Sequence, residues 1–470
     1  MAIECSYYTE PVDTTDLPRR FLEAFAAILA HSNYAPVLDA ACRISTRCGR
    51  CASTCPVYQA SDDPRDIPCK RTELLLQVYR RYFTPGGALK ARLGKAFELD
   101  ERHINTMAEE FYRCTACRRC KLECPMGIDH GLITHLGRWI LGEVAIVPKA
   151  LRVATREQLD GKTRNTSAIP AAALIDTCEF LEEDCADTLG LKIKFPIDQE
   201  NQEYVFFPAV SDYLLEPDTL TGNAAVMTAT GGSWTIGTHY FDGINYGLFY
   251  SDRMLHRIVR MEAEEVRRLK AEKVLIGECG HASRSAKAFI RTFCGGDKAP
   301  PVVNCMEYAL DMVRQGKLRL KKGAIDARVT YHDPCNVARS GWIIEQPREI
   351  LRHICTEYVD MTPKGKENYC CGGGGGTVSI DEIREFRTGI GGKTKADQLR
   401  RTDATIVVAP CANCKKQLRE VCEDHGLEHA QVVGLHDLIL KAIEPPDSMR
   451  VEQQSEQEDE ARAGEMEKER

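Results

Sequence analysis

Four cysteines in "CTACRRCKLECP", Cys114, Cys117, Cys120 and Cys124, follow the spacing C-x2-C-x2-C-x3-C-P. In such a run three thiolates wrap one face of a cubane iron-sulfur cluster and the fourth ligates a second cluster. Structural zinc takes four ligands in two separated pairs, which this run does not offer. The chemistry implied is electron transfer through paired clusters.

A partner run precedes it. In "CRISTRCGRCASTCPVY" the last three cysteine positions are Cys48, Cys51 and Cys55, but Ser45 stands at the first. One thiolate must come from elsewhere. Cys42, one turn away in a stretch with helical pattern, and Cys69, in the segment "DIPCKR", are the two candidates, and a loop position such as Cys69 reaches the site without distorting a helix. Crossed ligation then places one [4Fe-4S] cubane on Cys48, Cys51, Cys124 and the replacement, and a second on Cys55, Cys114, Cys117 and Cys120. Arg113, Arg118, Arg119 and Lys121 crowd the second motif, where positive charge raises a cluster's potential or docks an acidic carrier, or simply forms a solvated face.

The surrounding sequence must position these ligands. The 470-residue chain is 43% hydrophobic, enough to bury several cores, and carries 22 cysteines without a signal-peptide pattern. Those cysteines read as metal ligands in a reducing cytoplasm rather than as a disulfide framework. A net charge of −7 argues against nucleic-acid binding. The longest apolar stretch, "GLITHLGRWILGEVAIV", contains His135, Arg138 and Glu143 and is too short and polar to span a bilayer. "LPRRFLEAFAAILAHS" and "RTELLLQVYRRYF" have helical apolar spacing. Residues 1–145 therefore read as an α-helical, ferredoxin-like domain with two clusters. Residues 146–202, rich in turn residues, read as a linker in which Cys178 and Cys185 are unligated. The acidic residues 446–470 read as a disordered tail.

From residue 203 the pattern changes to short β-rich runs, "EYVFFPAV", "KVLIGECGH", "RVTYHDPC" and "TIVVAPCANC", alternating with amphipathic helices. This order implies α/β layering with functional loops at strand carboxyl ends. Two units are expected, at 203–325 and 326–445. The second gathers Cys335, the adjacent pair Cys370-Cys371 in "ENYCCGGGGG", and Cys411 and Cys414. Glycines after the pair can fold several amides into a nest facing cluster sulfides, so Gly372, Gly373 and Gly374 are candidate cofactor-binding residues.

This constellation resembles the CCG domain of the heterodisulfide reductase family. The resemblance implies that the five thiolates hold a non-cubane [4Fe-4S] cluster. The first unit is similar to a degenerate copy: aligning "HYFDGINYG" with "NYCCGGGGG" sets Phe241 and Asp242 opposite the double cysteine, and Cys279 of "GECGH" opposite Cys411. Facing of the two copies makes Cys279, His281 and His239, with Cys370 and Cys371, candidates for substrate contact or proton supply, with Trp234 and Tyr246 as cavity walls.

The fold class is thus α+β, a helical two-cluster domain followed by a tandem pair of α/β CCG domains. The combination resembles the D-type catalytic subunit of heterodisulfide reductase, and within that family the K-type subunit of the Dsr membrane complex associated with sulfite reduction. That resemblance implies an oxidoreductase subunit passing electrons through two cubanes to a non-cubane cluster that reduces a disulfide or trisulfide. The thiol substrate is a small molecule or a protein dithiol carrier. The expected partner is a membrane cytochrome subunit or a soluble electron carrier, which gives a cytoplasmic chain, or one peripheral on the inner membrane face. The alternative is an electron-relay subunit of a flavin-dependent hydroxyacid dehydrogenase or of an electron-bifurcating complex.

Overall fold

A computed structural model describes residues 12–94 and 97–451. The first part is helical because its apolar residues recur at helical spacing. In the helix Leu17–Ala30 the buried residues are Leu17, Phe21, Phe25 and Ile28. They pack with Leu75, Leu76 and Tyr79 of the helix Pro68–Tyr82, Ile104 and Phe111 of Glu101–Tyr112, and Leu136 and Ile140 of His130–Glu143. Asp100 and Asp129 cap the last two helices by accepting from the amides of His103 at 2.8 Å and Leu132 at 3.1 Å.

The stretch read as a linker is mostly helical, with helices Lys149–Asp160 and Ala171–Leu189. The second buries Leu174, Cys178, Leu181 and Cys185 on one stripe. Its apolar period escapes a composition-based reading because two of the four stripe positions are cysteines among acidic neighbours. Burial pushes the Cys178 thiol up to about 12 and Cys185 to about 11, as expected of thiols used as small hydrophobes.

Two four-stranded parallel sheets follow. The first contains β1 (Tyr204–Phe207), β2 (Trp234–Thr235), β3 (Lys273–Ile276) and β4 (Val302–Asn304) in the order β2-β1-β3-β4. The second contains β5 (Ile325–Tyr331), β6 (Cys355–Asp360), β7 (Ile406–Val408) and β8 (Gln431–Val433) in the order β6-β5-β7-β8. The two orders are the same, so the internal repeat read from the strand runs is a repeat of topology. In register, Val205 lies between Thr235 and Val274, and Thr330 lies between Val359 and Val407.

The repeats also pack reciprocally. The helix Gly280–Phe293 after β3 lies on Cys335–Gly341 after β5. Conversely, Lys415 and Arg419, on the helix after β7, bond Thr219 at 2.7 Å and Glu216 at 2.5 and 2.9 Å, at the start of the helix Pro217–Ala229 after β1. Residues 446–451, read as the start of the tail, are ordered. Met449 is buried, and its carbonyl accepts from the Lys192 amide at 2.7 Å. The remainder of that tail, 452–470, lies outside the described residues.

Candidate iron-sulfur centres

The ferredoxin-like region contains two cysteine-lined cavities. One is lined by Cys48, Cys51, Cys69 and Cys124, together with Ser45. The other is lined by Cys55, Cys114, Cys117 and Cys120 beside the buried Arg71 and His130. Each cavity draws cysteines from both motifs, as crossed ligation requires. Cys69 sits in the first turn of the helix Pro68–Tyr82 rather than in a loop, and shares a thiol hydrogen bond with Cys51 that pulls it down to about 6. Cys42 is not among the lining residues. It is half-buried in the helix Tyr34–Ile44, 3.9 Å from the Arg80 guanidinium.

The arginines around the second motif do not form a docking face. Arg113 bonds Asp66 at 2.7 and 2.8 Å, Arg118 pairs with Asp129, and Arg119 is buried, donating to the carbonyls of Thr54 at 3.0 Å and Glu367 at 2.7 Å. Of the four cations, Lys121 is the one about half in solvent. The arginines' charge holds the motif in place.

In the second α/β repeat Cys335 follows β5 and Cys411 follows β7, at the carboxyl ends of the two central strands where the strand order reverses, the usual ligand position in such sheets. Cys335, Cys370, Cys371, Cys411 and Cys414 form one buried cluster. The Cys371 and Cys414 sulfurs are 3.5 Å apart. That separation suits two thiolates on one tetrahedral metal with bonds of about 2.3 Å. The donor set therefore fits an iron-sulfur group. Cys370 bonds Cys117 as well as Cys335, so a cysteine of the second cavity reaches the five-cysteine cluster directly.

The glycine run serves two purposes, of which the amide nest is one. The Gly372 amide donates to Cys370 Sγ at 3.4 Å, and the Gly373 amide bonds Cys371. Beyond them the run also packs on the loop of the second motif. A Cβ on Gly374 would overlap the Thr115 carbonyl oxygen, and one on Gly375 would lie 3.0 Å from the Cys114 carbonyl oxygen. The buried Arg138 locks this seam. Its guanidinium donates to the carbonyls of Phe111 at 2.7 Å, Cys114 at 2.6 Å, Phe249 at 3.4 Å and Gly375 at 2.8 Å.

The degenerate repeat contributes unevenly. Cys279 is fully buried and its neighbour Gly280 abuts Cys411, a Cβ there lying 3.4 Å from the sulfur. His281 lies 3.4 Å from Cys279 Sγ and against the rings of Phe249 and Tyr246. Burial drives its pKa down to about 3, so it is neutral and a poor proton source. His239 does not belong with these residues. It is exposed on the bend after β2, because this segment carries no cysteine to draw it inward. Trp234 is likewise core, edge-on to Phe195 and Phe206, not a cavity wall. Tyr246 does line a cavity of about 420 Å³, with Ser379, Asn413, Lys416, Arg419 and Glu216.

Asp242, which aligns opposite the double cysteine, is a self-contained hydrogen-bonding centre. Fully buried, it accepts from the Thr166 amide and hydroxyl at 2.8 Å each, the Ile244 amide at 2.8 Å and Gln158 Nε2 at 3.3 Å. Gln158 and Thr166 come from the stretch read as a linker, so that segment fills the first repeat's position opposite the double cysteine.

Two further residues at the five-cysteine site escape the motif spacing. Ring nitrogen and sulfur atoms of His332, Cys371 and Cys414 all lie within 4.8 Å of one another. Lys395 is fully buried and donates to Asn368 Oδ1 at 2.6 Å and Gln398 Oε1 at 2.5 Å. The only sequence signal for His332 is its place three residues before Cys335.

Comparison with known proteins accords with this geometry. Residues 45–128 match the 4Fe-4S dicluster domain family and residues 329–419 match the Cysteine-rich domain family. Over 437 residues the chain is 28% identical to "Hdr-like menaquinol oxidoreductase iron-sulfur subunit 2" of Archaeoglobus fulgidus, covering 83% of this chain and 76% of the relative. It is 25% identical over 392 residues to a subunit of "Dihydromethanophenazine:CoB--CoM heterodisulfide reductase" of Methanosarcina mazei, covering 80% and 88%. "EtfAB:quinone oxidoreductase" of Syntrophomonas wolfei is 23% identical over 424 residues, covering 85% of this chain and 58% of the relative. Two cysteine-lined cavities, a five-cysteine cluster on a strand-order reversal and these relatives together identify an iron-sulfur oxidoreductase subunit similar to the D-type subunits of heterodisulfide reductases.

Proposed function

We propose that the chain holds two cubane clusters, on Cys48, Cys51, Cys69 and Cys124 and on Cys55, Cys114, Cys117 and Cys120. A non-cubane cluster on Cys335, Cys370, Cys371, Cys411 and Cys414 completes the set. When bound, these groups would supply one-electron transfer toward the five-cysteine site, where a disulfide or trisulfide would be reduced. Cleavage of one S–S bond consumes two electrons and two protons and yields two thiols from a disulfide, or a thiol and a persulfide from a trisulfide. The observation that carries this reading is the meeting of Cys117 and Cys370, which sets a ligand of one centre against a ligand of the next.

The chain's own residues assist in definable ways. Arg138 and Arg339 hold the two ligand loops together, Arg339 by donating to the carbonyls of Cys117 at 3.0 Å and Asn368 at 2.7 Å. The cavity of about 420 Å³ beside Ala412 and Asn413 is large enough for a small ligand and gives a thiol-bearing molecule an approach to the Cys411 loop. Electrons arrive from a membrane cytochrome subunit or a soluble carrier. Among the described residues no helix is long and apolar enough to cross a membrane, so the first arrangement makes the chain peripheral through its partner.

The test is turnover of disulfide and trisulfide substrates by anaerobically purified protein with an artificial reductant, alongside paramagnetic resonance of the oxidised protein with added thiols. A thiol-dependent signal with turnover is expected. Electron transfer to a partner with neither result would favour the relay role. The relative named as an EtfAB:quinone oxidoreductase makes that second reading specific.

A further inference from the structure

His332 follows β5 directly and is 0% exposed, and its amide donates to the Val408 carbonyl at 2.8 Å. Among the described residues neither ring nitrogen has a hydrogen-bond partner. Burying an unpaired polar group costs about 1–3 kcal/mol, so a ring with both nitrogens unpaired is a place where a partner belongs. A ring nitrogen lies within 4.8 Å of both the Cys371 and the Cys414 sulfurs, which themselves sit 3.5 Å apart.

The backbone around the ring is immobilised by other bonds. Asp333 accepts from Arg348 at 2.8 and 2.6 Å and from the Gly365 amide at 2.8 Å, while Asn368 donates to the Asp333 carbonyl at 2.6 Å. The imidazole is therefore held in place without using its nitrogens. An imidazole in this place offers at least one ring N–H to a group seated beside it.

Of the glycine-run amides, those of Gly372 and Gly373 bond cysteine sulfurs, whereas Gly374 and Gly375 are packed on the Cys114–Thr115 backbone. Five thiolates already provide the ligands. We propose, resting on the non-cubane cluster reading above, that His332 is a positioning residue whose ring N–H donates to a sulfur of the group held by Cys371 and Cys414, and so raises its reduction potential. Hydrogen bonds to sulfur are among the levers a protein has on such potentials.

The experiment compares anaerobically purified wild-type protein with H332L and H332Q by iron content, potentiometric titration and proton hyperfine spectroscopy in H₂O and D₂O. The expected H332L protein retains its iron, loses an exchangeable-proton coupling at the third cluster and titrates at a lower potential. H332Q, which keeps an N–H donor, should recover part of both. Unchanged coupling and potential in H332L would overturn the proposal. So would a strong directly bonded nitrogen coupling in the wild type with loss of iron in both variants, because His332 would then be a ligand. Wild-type iron sufficient for two cubanes alone, with no thiol-responsive signal, would show that the cluster reading itself had failed and would remove this proposal with it.

Discussion

Gly374 lies so close to the Thr115 carbonyl oxygen that no β-carbon fits between them. This backbone-to-backbone contact joins the loop after Cys370-Cys371 to the loop carrying Cys114 and Cys117. A glycine run that composition presents as a cradle for a cluster is, in its second half, also the seam along which the two cysteine-bearing loops are set side by side.

G374A tests the seam. Inserting a methyl against the Thr115 carbonyl oxygen costs about 1–3 kcal/mol and must be absorbed by moving the loops apart. The variant is expected to keep the iron of both regions while reduction of the third cluster by the cubanes slows, measured by rapid mixing with a reductant. An unchanged rate would show that the close contact is not used for transfer.

Cys69 and Cys42 are separated by placement alone. C69S should lose the iron of one cubane, because Cys69 lines the cavity with Cys48, Cys51 and Cys124. C42S should keep full iron, its thiol lying against Arg80 instead. Iron analysis of the two variants decides it, and equal loss in both would put the assignment of Cys69 in error.

How much of this was legible follows from distance along the chain. The two motifs of the dicluster region are local, so spacing alone identifies them. The choice between Cys69 and Cys42 is tertiary, since both lie within reach of Ser45 until the helix Pro68–Tyr82 is docked. The repeat was readable from its strand runs, but extrapolating every position of the second repeat onto the first misplaced His239 and Trp234, which sit where no cluster organises the loops. His332 and Lys395 carry no spacing rule of their own. The role of Gly374 and Gly375 depends on a surface more than 250 residues away in sequence, which no window of residues reveals.

The buried histidines predict an acid-side loss of stability. Burial holds the folded-state pKa of His281 near 3 and that of His130 near 4, both below the unfolded value of 6.5. Each therefore contributes fully above pH 6.5, and its contribution is lost as pH falls from there toward the folded pKa. The slope is about 1.4 kcal/mol per pH unit for each group. Asp242 runs the opposite way: burial raises it to about 6, so its contribution is full below about 3.8 and lost as pH rises through 6. Denaturation of wild type and H281L at pH 7 and pH 5 isolates one histidine. The difference in stability between the two proteins should shift toward the variant at pH 5, and a pH-independent difference would mean that His281 titrates alike in the folded and unfolded protein.

Asp242 and Cys371 hold corresponding places in the two repeats, and their replacement should separate structure from redox chemistry. C370S or C371S removes a thiol from the buried five-cysteine cluster. Either variant is expected to lose disulfide reduction and the thiol-dependent paramagnetic signal, while the cubane signals persist because their cysteines line separate cavities. D242A should do the reverse. It strips the acceptor from Thr166, Ile244 and Gln158, leaving buried donors unpaired at about 1–3 kcal/mol each, with no iron lost. Thermal unfolding of D242A should shift markedly downward while its spectrum at low temperature matches wild type. Full turnover by C370S with an intact third cluster would move the reactive site away from the double cysteine, and Cys279, buried beside Gly280 and Cys411, would be the residue to substitute next.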